Sequence, residues 1–587
     1  MGGSHGGVRP SAPPQVSTSS PCRRDTFVRQ HRTLPRLFGS LLLVVAAGIS
    51  SVAAAPAPSE RSATPPPAPR APTIRPLGDV VPVPASVRPG GSPYTITPFT
   101  WIGVVASPGQ ARAARSVGTY LAGVLRPSTG YALPVVPDPG IGPGGGIRLR
   151  LATGSGPDSR SADRDLGEEG YRLESGRGGV TITAYRPAGL FHGVQTLRQL
   201  LPAAVEKSSR QSGPWKVAGG TITDTPRYAY RGAMLDVSRH FFTVAQVKRY
   251  IDQLALYKVN TLHLHLSDDQ GWRIAIDSWP RLATYGGSTQ VGGGPGGYYT
   301  KAQYRELVSY AASRHLEVVP EVDMPGHTNA ALASYAQLNC DGVAPPLYTG
   351  IQVGFSSLCV PKEVTYDFVD DVVRELAALT PGRYLHIGGD ETHATSHADY
   401  VTFMERAQAV VAKYGKTVMG WHELTGAHPV EGAVAQYWGR DRTSASVREQ
   451  VAAAAKAGTR LVLSPADRVY LDMKYDPSTV LGQTWAGYIE VDRAYDWDPA
   501  TYLAASGVPS DAILGVEAPV WTETLSTSDH LETMTFPRLQ GVAELGWSPA
   551  STHDWSAFKA RLASQGPRME ALGIDYYRSP QVPWSAE

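Results

Sequence analysis

The stretch YLHIGGDE, residues 384–391, is a short apolar run that continues through two glycines into two adjacent acids, Asp390 and Glu391. An apolar run of this length is typical of a buried strand. Acids that follow such a strand are either solvated surface residues or paired carboxylates that divide acid and base work. The surrounding sequence decides between these two interpretations.

The same pattern of a short apolar strand followed by polar residues recurs along the chain from Tyr228 onwards. Amphipathic helical stretches, such as residues 247–258 and 366–379, lie between many of the strands. Eight strands that alternate with helices predict an α/β fold of the (β/α)8 TIM-barrel type. The other seven predicted strand regions are residues 231–240, 261–269, 317–327, 417–424, 433–438, 460–472 and 513–523.

Polar and aromatic residues cluster at the carboxyl ends of these predicted strands, where a barrel of this type carries its chemistry. Surface residues without a function would be scattered over both ends of the barrel. Tryptophan faces stack on the apolar face of a pyranose, and carboxylates and arginine bind its hydroxyls, so the set indicates a sugar site. Its members are Arg239, Asp268, His327, Asp390, Glu391, Trp421, Trp438 and Glu523.

A metal-dependent hydrolase is an alternative, because His263 and His265 form an HxH pattern on a predicted strand. The alternation of the strand directs both side chains to one barrel face, well before the carboxyl end. They also lie on the second strand instead of the first. The sequence therefore favours polar residues packed inside the barrel, and no metal site is predicted.

Residues 78–225 have a different pattern from the barrel, with period-2 strands at 94–105, 146–153, 170–176 and 179–186 and helical stretches at 111–130 and 190–202. This predicts a smaller α+β domain before the catalytic barrel of residues 226–587. The net charge of +2 gives no argument for a nucleic-acid partner.

The first 55 residues are predicted to be an export leader, because basic residues precede the apolar run 37–55, which ends in small residues suited to cleavage near Ala55. A Pro-rich linker, residues 56–77, follows. The alternative of a membrane span is weakened by glycine and serine within the run, so we expect a secreted protein without stable membrane insertion. Arg23 and Arg24 match a twin-arginine signal only weakly, and the choice between the two export routes stays open.

Two cysteines, Cys340 and Cys359, remain after the predicted leader. An even pair in an exported protein predicts one disulfide, which would contribute about 3 kcal/mol in the chain-entropy model. Two free buried thiols are the alternative.

The motifs HIGGDE, LDVSRHF, LHLHLSDDQGWR, EVDMPGHTNA and WHEL, with the triplets at 470–472 and 521–523, resemble the glycoside hydrolase family 20 β-N-acetylhexosaminidases. The resemblance extends from residue 78 to the end of the chain. It implies catalysis in which the carbonyl oxygen of the sugar's own 2-acetamido group attacks C1 and forms an oxazolinium intermediate. Glu391 would then be the acid and base, and Asp390 would hold the acetamido N–H and stabilise the positive charge.

The resemblance assigns the remaining site residues as well. Tyr470 would donate to the acetamido oxygen, and Asp268 and His327 would form a relay behind the acid. Residues that would wall the acetamido pocket or bind the sugar and its hydroxyls are Arg239, Trp421, Trp438, Asp472, Trp485, Trp521 and Glu523.

The resemblance thus implies a chitobiase-like, exo-acting enzyme that retains β configuration and removes terminal GlcNAc, and GalNAc as well, from chitin oligosaccharides or glycoconjugates. Its partner would be an oligosaccharide, with no nucleic acid and no metal or organic cofactor, and the protein would be a monomer or weak oligomer. A lacto-N-biosidase-like enzyme that releases a disaccharide is one alternative. A catalytically silent carbohydrate-binding barrel is another, although the intact Asp390–Glu391 pair argues against it.

Overall fold

The computed structural model describes residues 74–138, 145–152 and 166–584. The predicted leader, residues 1–55, and residues 56–73 of the predicted linker lie outside the described residues. No helix in the three described ranges combines the length and the apolar character that a membrane crossing requires.

The first part of the described chain is a mixed sheet with two helices, α1 (Ala111–Thr129) and α2 (Pro187–Leu200), packed against it. The strand order of the seven-stranded sheet is β1-β9-β6-β7-β5-β3-β4, and β2 and β8 form a separate pair. The strands are β1 (Ser86–Pro89), β2 (Tyr94–Ile96), β3 (Ile102–Val105), β4 (Val135–Pro137), β5 (Gly146–Leu151), β6 (Tyr171–Gly176), β7 (Gly179–Ala184), β8 (Trp215–Val217) and β9 (Gly220–Asp224).

The second part is a closed barrel of eight parallel strands, which confirms the predicted (β/α)8 fold class. The barrel closes between its first and last strands, where Leu235 lies opposite Val520. The strands are buried almost throughout because helices cover the outside and side chains fill the inside. In barrel order they are β10 (Tyr230–Asp236), β11 (Thr261–His265), β14 (Glu317–Glu321), β15 (Tyr384–His386), β16 (Thr417–Trp421), β17 (Val434–Tyr437), β18 (Arg460–Leu463) and β19 (Ile513–Val520). A small hairpin, β12 (Ser267–Asp268) and β13 (Gly271–Trp272), follows β11.

Helices connect most of the barrel strands, and several begin at a residue that caps the helix. Thr243 and Thr300 each form a capping box with the glutamine three residues later. The helices are α3 (Val244–Leu256), α4 (Arg281–Thr284), α5 (Lys301–Ser313), α6 (Asn329–Ser334), α7 (Glu363–Leu379), α8 (His397–Lys413), α9 (Ala445–Lys456), α10 (Ala466–Val469), α11 (Val491–Tyr495), α12 (Ser528–Thr535), α13 (Arg538–Trp547), α14 (Trp555–Ala563) and α15 (Gly566–Leu572). The fully described connection from β16 to β17 contains only a 3-10 helix, His422–Gly426.

Two predicted strand regions differ from the structure. Residues 94–105 were expected to form one strand, but a turn at residues 97–100 divides them into β2 and β3. Residues 460–472 form the short strand β18 and then the helix α10, so Tyr470 and Asp472 follow a helical turn instead of ending a strand. Pro465 precedes the helix, where its fixed φ and missing N–H are tolerated.

The α+β domain contacts the barrel near the amino ends of β10 and β11. Lys258 Nζ lies 2.9 Å from Asp224 Oδ2, and Arg231 Nη2 lies 2.6 Å from Glu169 Oε1. The indole Nε1 of Trp547 also donates to Asp224 Oδ2, at 2.9 Å. Since the chemistry of such a barrel lies at the opposite, carboxyl end of its strands, these contacts support the fold from the side away from the site.

The structure contains the disulfide between Cys340 and Cys359, which are separated by 19 positions in the sequence. The loop that it closes connects α6 to α7 and includes Ile351 and Val353, which reach the cavity described next.

Candidate active site

The turn after β15 brings both acids of the HIGGDE stretch to one cavity. Gly388 and Gly389 have φ angles of 67° and 100°, a conformation that favours glycine. A Cβ on Gly388 would lie 1.7 Å from Asp323 Oδ1, so this position has no room for a side chain. Glu391 itself has a φ of 45°, an uncommon conformation for a residue with a side chain and one that clusters at functional sites.

The cavity at the carboxyl end of the barrel has a volume of about 270 Å³ and admits a group of monosaccharide size. It brings together most of the residues predicted from the sequence. Its lining residues are Arg239, His327, Ile351, Val353, Asp390, Glu391, Trp438, Tyr470, Asp472, Gln483, Trp485, Trp521 and Glu523.

His327 lies between Asp268 and the two acids. Its Nδ1 is 3.2 Å from Asp268 Oδ1, and its Nε2 is 3.6 Å from Glu391 Oε2 and 3.8 Å from Asp390 Oδ2. Burial lowers the pKa of this imidazole, but the charges of Asp268 and Asp390 outweigh the burial and raise the pKa well above its usual value. The imidazole is therefore a cation that faces both acids.

Arg239 is held at the edge of the cavity by an ion pair and by an aromatic face. Its Nη1 is 2.8 Å from Asp268 Oδ2, and its guanidinium lies 4.8 Å from the ring centroid of Trp521. Asp268 does not line the cavity itself, and it orients both Arg239 and His327 from behind.

Aromatic rings form one wall of the cavity. Trp485 meets the edges of Tyr470 and Trp438, with ring centroids 5.7 and 6.1 Å apart. Trp521 lies 6.2 Å from Tyr470. Trp485 is 42% exposed, which places it at the cavity mouth.

Trp421 lies deeper than these rings and packs in one cluster with Tyr470, Trp521 and Trp438. Its side chain is fully buried, its Nε1 donates to Glu321 Oε1 at 2.9 Å, and its ring lies 5.7 Å from that of Trp521.

Asp472 and Glu523 present acceptor atoms to the cavity. Among the described residues, neither carboxylate oxygen of Asp472 nor Oε2 of Glu523 has a hydrogen-bond partner, although all three atoms are buried. Burial raises the pKa of both groups, and the charge of Glu523 raises that of Asp472 further. Buried acceptors without partners are costly, so these atoms are suited to hydroxyl donors of a ligand.

The pKa values of the two central acids shift in opposite directions. Burial raises the pKa of Glu391, but the nearby positive charges of His327 and Arg239 outweigh it, so the pKa is lowered overall. Burial raises the pKa of Asp390 to about 6, with His327 opposing and Glu391 reinforcing the rise. Asp323, buried beside Asp390, has its pKa raised by burial and by the charge of Asp390.

A network of histidines and acids fills the barrel below the cavity. His263 Nδ1 is 2.8 Å from Glu517 Oε1 and its Nε2 is 3.0 Å from Glu321 Oε2, while His265 bridges Glu321 and Asp268 at 2.6 and 2.7 Å. The HxH pattern is thus part of the barrel interior. His263, Glu321 and His386 offer ligand atoms within 4.8 Å of one another, but the same atoms are paired with each other, which favours an ion-pair network over a metal site.

This network predicts that alkaline pH lowers stability. Burial lowers the pKa of His263, but Glu517 and Glu321 raise it to about 9. A raised pKa contributes stability that is complete below the usual value of 6.5 and is lost as pH rises to about 9. We expect the free energy of unfolding, measured by urea denaturation at both pH values, to fall by about 3 kcal/mol from this group.

The exposed His397 provides the control for this measurement. His397→Gln should leave the loss between the two pH values unchanged. Stability that is constant or rises over this range would contradict a charged His263.

Several residues of the site were not predicted from the sequence. Asp323 and Glu321 lie in the quoted motif EVDMPGH and could have been noticed as acids on a barrel strand. Gln483, Ile351 and Val353 come from long loops, where no periodicity relates a residue to the barrel end.

Comparison with known proteins agrees with this geometry. The model of the glycosyl hydrolase family 20 catalytic domain matches residues 228–550, and that of the family's domain 2 matches residues 78–225. A β-N-acetylhexosaminidase of Cellulomonas fimi is 43% identical over 494 residues, which cover 84% of this chain and 94% of that protein.

Solved structures give the same result. The β-N-acetylhexosaminidase of Streptomyces coelicolor A3(2) is 71% identical, with a TM-score of 0.82 and coverage of 87% of this chain and 99% of that one. A mutant β-hexosaminidase of Streptomyces plicatus in complex with its product GlcNAc is also 71% identical, with a TM-score of 0.83 and coverage of 88% and 99%. With a catalytic-domain model that matches more than half of its length and relatives at this identity, the chain belongs to glycosyl hydrolase family 20.

Proposed function

We propose that this chain is an exo-acting β-N-acetylhexosaminidase that removes terminal β-linked GlcNAc, and GalNAc as well, with retention of configuration. The observation that carries the proposal is that Asp390 and Glu391 line one small cavity together with Tyr470 and a wall of tryptophans. Adjacent acids on one turn are poorly arranged to act as an opposed acid and nucleophile about 5 Å apart. The nucleophile is then the acetamido oxygen of the substrate.

In the first step the acetamido carbonyl oxygen forms a bond to C1 while the glycosidic C1–O bond breaks. Glu391 gives its proton to the departing oxygen, and Asp390 accepts a hydrogen bond from the acetamido N–H and stabilises the positive oxazolinium. Tyr470 donates to the acetamido oxygen and aligns it for attack. In the second step water forms a bond to C1 while the bond from C1 to the acetamido oxygen breaks and restores the acetamide. Glu391 takes up the proton of the water, and the two inversions together leave the β configuration.

The acid role requires a proton on Glu391, whose pKa is lowered in the free site. The side chain is 31% exposed, so a bound sugar removes water from it. Desolvation disfavours the carboxylate and raises its pKa toward the value that a general acid needs. After Glu391 has given up its proton, the positive charge of His327 stabilises the resulting carboxylate, which then acts as the base.

Exo action is supported by the polar side chains that line the cavity. The fork of Arg239 suits the vicinal O3 and O4 hydroxyls, Asp472 suits O6, and Glu523 suits the O4 and O6 side. A sugar held on all these hydroxyls has no room for a further residue at its non-reducing end. This argues against release of a disaccharide, which would need the same groups to be withdrawn.

The natural substrate that fits a secreted enzyme best is a chitin oligosaccharide, and secretion is supported by the leader pattern of residues 1–55. The proposal includes no cofactor.

The test compares p-nitrophenyl β-GlcNAc, β-GalNAc and β-glucoside as substrates of the wild-type chain. We expect turnover of the two N-acetyl sugars and no detectable turnover of the glucoside, with the β anomer as the first product seen by NMR. Comparable cleavage of the glucoside, or an α product, would show that the acetamido group is not the nucleophile.

A further inference from the structure

The Trp438 indole is attached to the rest of the site by one carboxyl group. Its Nε1 donates to Glu423 Oε2 at 3.1 Å. Two rings lie near it, Trp485 at 6.1 Å and His422 at 5.5 Å between centroids, and the indole also packs against a buried apolar cluster that includes Tyr470. Ring contacts of this kind constrain the orientation of an indole less than a directed hydrogen bond does.

Glu423 is well placed to fix this wall because it follows the strand next to that of Trp438. It lies in the 3-10 helix His422–Gly426, directly after β16, and Trp438 follows β17. Strands β16 and β17 are paired in the barrel, so this hydrogen bond links the ends of two neighbouring strands beside the cavity.

The surroundings of Glu423 favour a neutral carboxyl group. Burial and the charge of Glu391 raise its pKa to about 7, although the hydrogen bond from Trp438 and the charge of His327 oppose the rise. The other ionisable groups that face it are His422, Asp390 and Tyr400. A neutral carboxyl still accepts from the indole, and it adds no third negative charge beside Asp390 and Glu391.

We propose that Glu423 is a positioning residue that holds the Trp438 indole against the cavity and thereby sets how tightly the site closes on the acyl group of the substrate. This inference rests on the proposed function, in which Trp438 walls the acetamido pocket. If the hydrogen bond is lost, the indole can turn away from the cavity, and the acyl group is no longer held for attack on C1. The pocket should then also admit larger acyl groups.

The test compares Glu423→Leu, which removes the acceptor, with Glu423→Gln, which keeps an acceptor without a charge. On p-nitrophenyl β-GlcNAc at pH 6 we expect Glu423→Leu to lower kcat/KM by about tenfold to a hundredfold, the effect of one lost, partly buried hydrogen bond to a carboxyl group. Glu423→Gln should recover most of this loss. The exposed Glu431 provides the matched control, since Glu431→Leu should have the wild-type kcat/KM.

Two further readouts separate positioning from a general effect on the fold. The ratio of kcat/KM for the N-propionyl analogue to that for the N-acetyl substrate should rise in Glu423→Leu, whereas a loss of folded protein would lower both equally. Trp438→Phe removes the donor, so Glu423→Leu and Trp438→Phe should not be additive when combined.

An unchanged acyl ratio in Glu423→Leu, additive losses in the double variant, or a Glu423→Gln variant as impaired as Glu423→Leu would each overturn the proposal. If Glu423→Leu does not fold, Trp438→Phe and Glu423→Gln still test it, because the first should raise the acyl ratio and the second should not. A failure of the proposed function is distinguishable, because it would appear in the wild-type chain as loss of preference for N-acetyl sugars.

Discussion

Replacing Glu391 by glutamine should lower kcat/KM for chitobiose by about 10²- to 10⁴-fold, the usual contribution of a general acid. The sugar leaving group of chitobiose is poor and requires the proton that Glu391 supplies. A 2,4-dinitrophenyl leaving group departs without a proton, so its kcat/KM, which reports the first step, should fall much less. Its kcat should still fall strongly, because Glu391 is also the base for the water of the second step.

Steady-state kinetics on the two substrates measure this difference. Glu431→Gln, a change of an exposed glutamate, should leave kcat and kcat/KM for both substrates at their wild-type values. Equal losses of kcat/KM on both substrates would contradict the acid role and would indicate that the substitution distorts the strained turn at residue 391.

The fold could be predicted because its signals are periodic. Each barrel strand is a short apolar run, and the helices between them have an apolar face, as in α3 and α7. The polar residues after the strands then identify the carboxyl end of the barrel. This explains why Asp390, Glu391, His327 and Arg239 were expected near one another, and the structure places them around one cavity.

Depth and charge could not be predicted in the same way. Trp421 and Trp438 both follow barrel strands, yet the first is fully buried and the second lines the cavity. The relation of Asp323 to Asp390 depends on a turn in which Gly389 N donates to Asp323 Oδ1 at 2.9 Å. Such contacts join residues far apart in the chain, and no spacing in the sequence indicates them.

The lowered pKa of Glu391 is another property that residue identity does not give. It results from His327 and Arg239, which approach from two other strand ends. A motif identifies the acid, but its protonation state depends on all the charges assembled around it.

Replacing Asp390 by asparagine should lower kcat for β-GlcNAc substrates by about 10²- to 10³-fold, the usual cost of losing one group that stabilises developing charge. Asparagine has nearly the same shape and can still accept from the acetamido N–H, so the loss measures the negative charge. Burial and the charge of Asp390 raise the pKa of Asp323, which favours the proton on Asp323 and the negative charge on Asp390, close to the oxazolinium. The kcat of Asp390→Asn for N-acetyl substrates should therefore fall even if the KM changes little.

A stable thiazoline analogue of the intermediate makes this prediction sharper. If Asp390 stabilises the positive intermediate, its replacement should weaken binding of the analogue in proportion to the loss in kcat, because both depend on the same electrostatic interaction. Asp511→Asn, at an exposed acid near the amino end of β19, should change neither quantity. If Asp390→Asn loses turnover but binds the analogue as tightly as the wild type, the carboxylate acts before the intermediate forms. Asp390 would then orient the acetamido group for attack, and stabilisation of the oxazolinium would have to come from the aromatic wall and Tyr470.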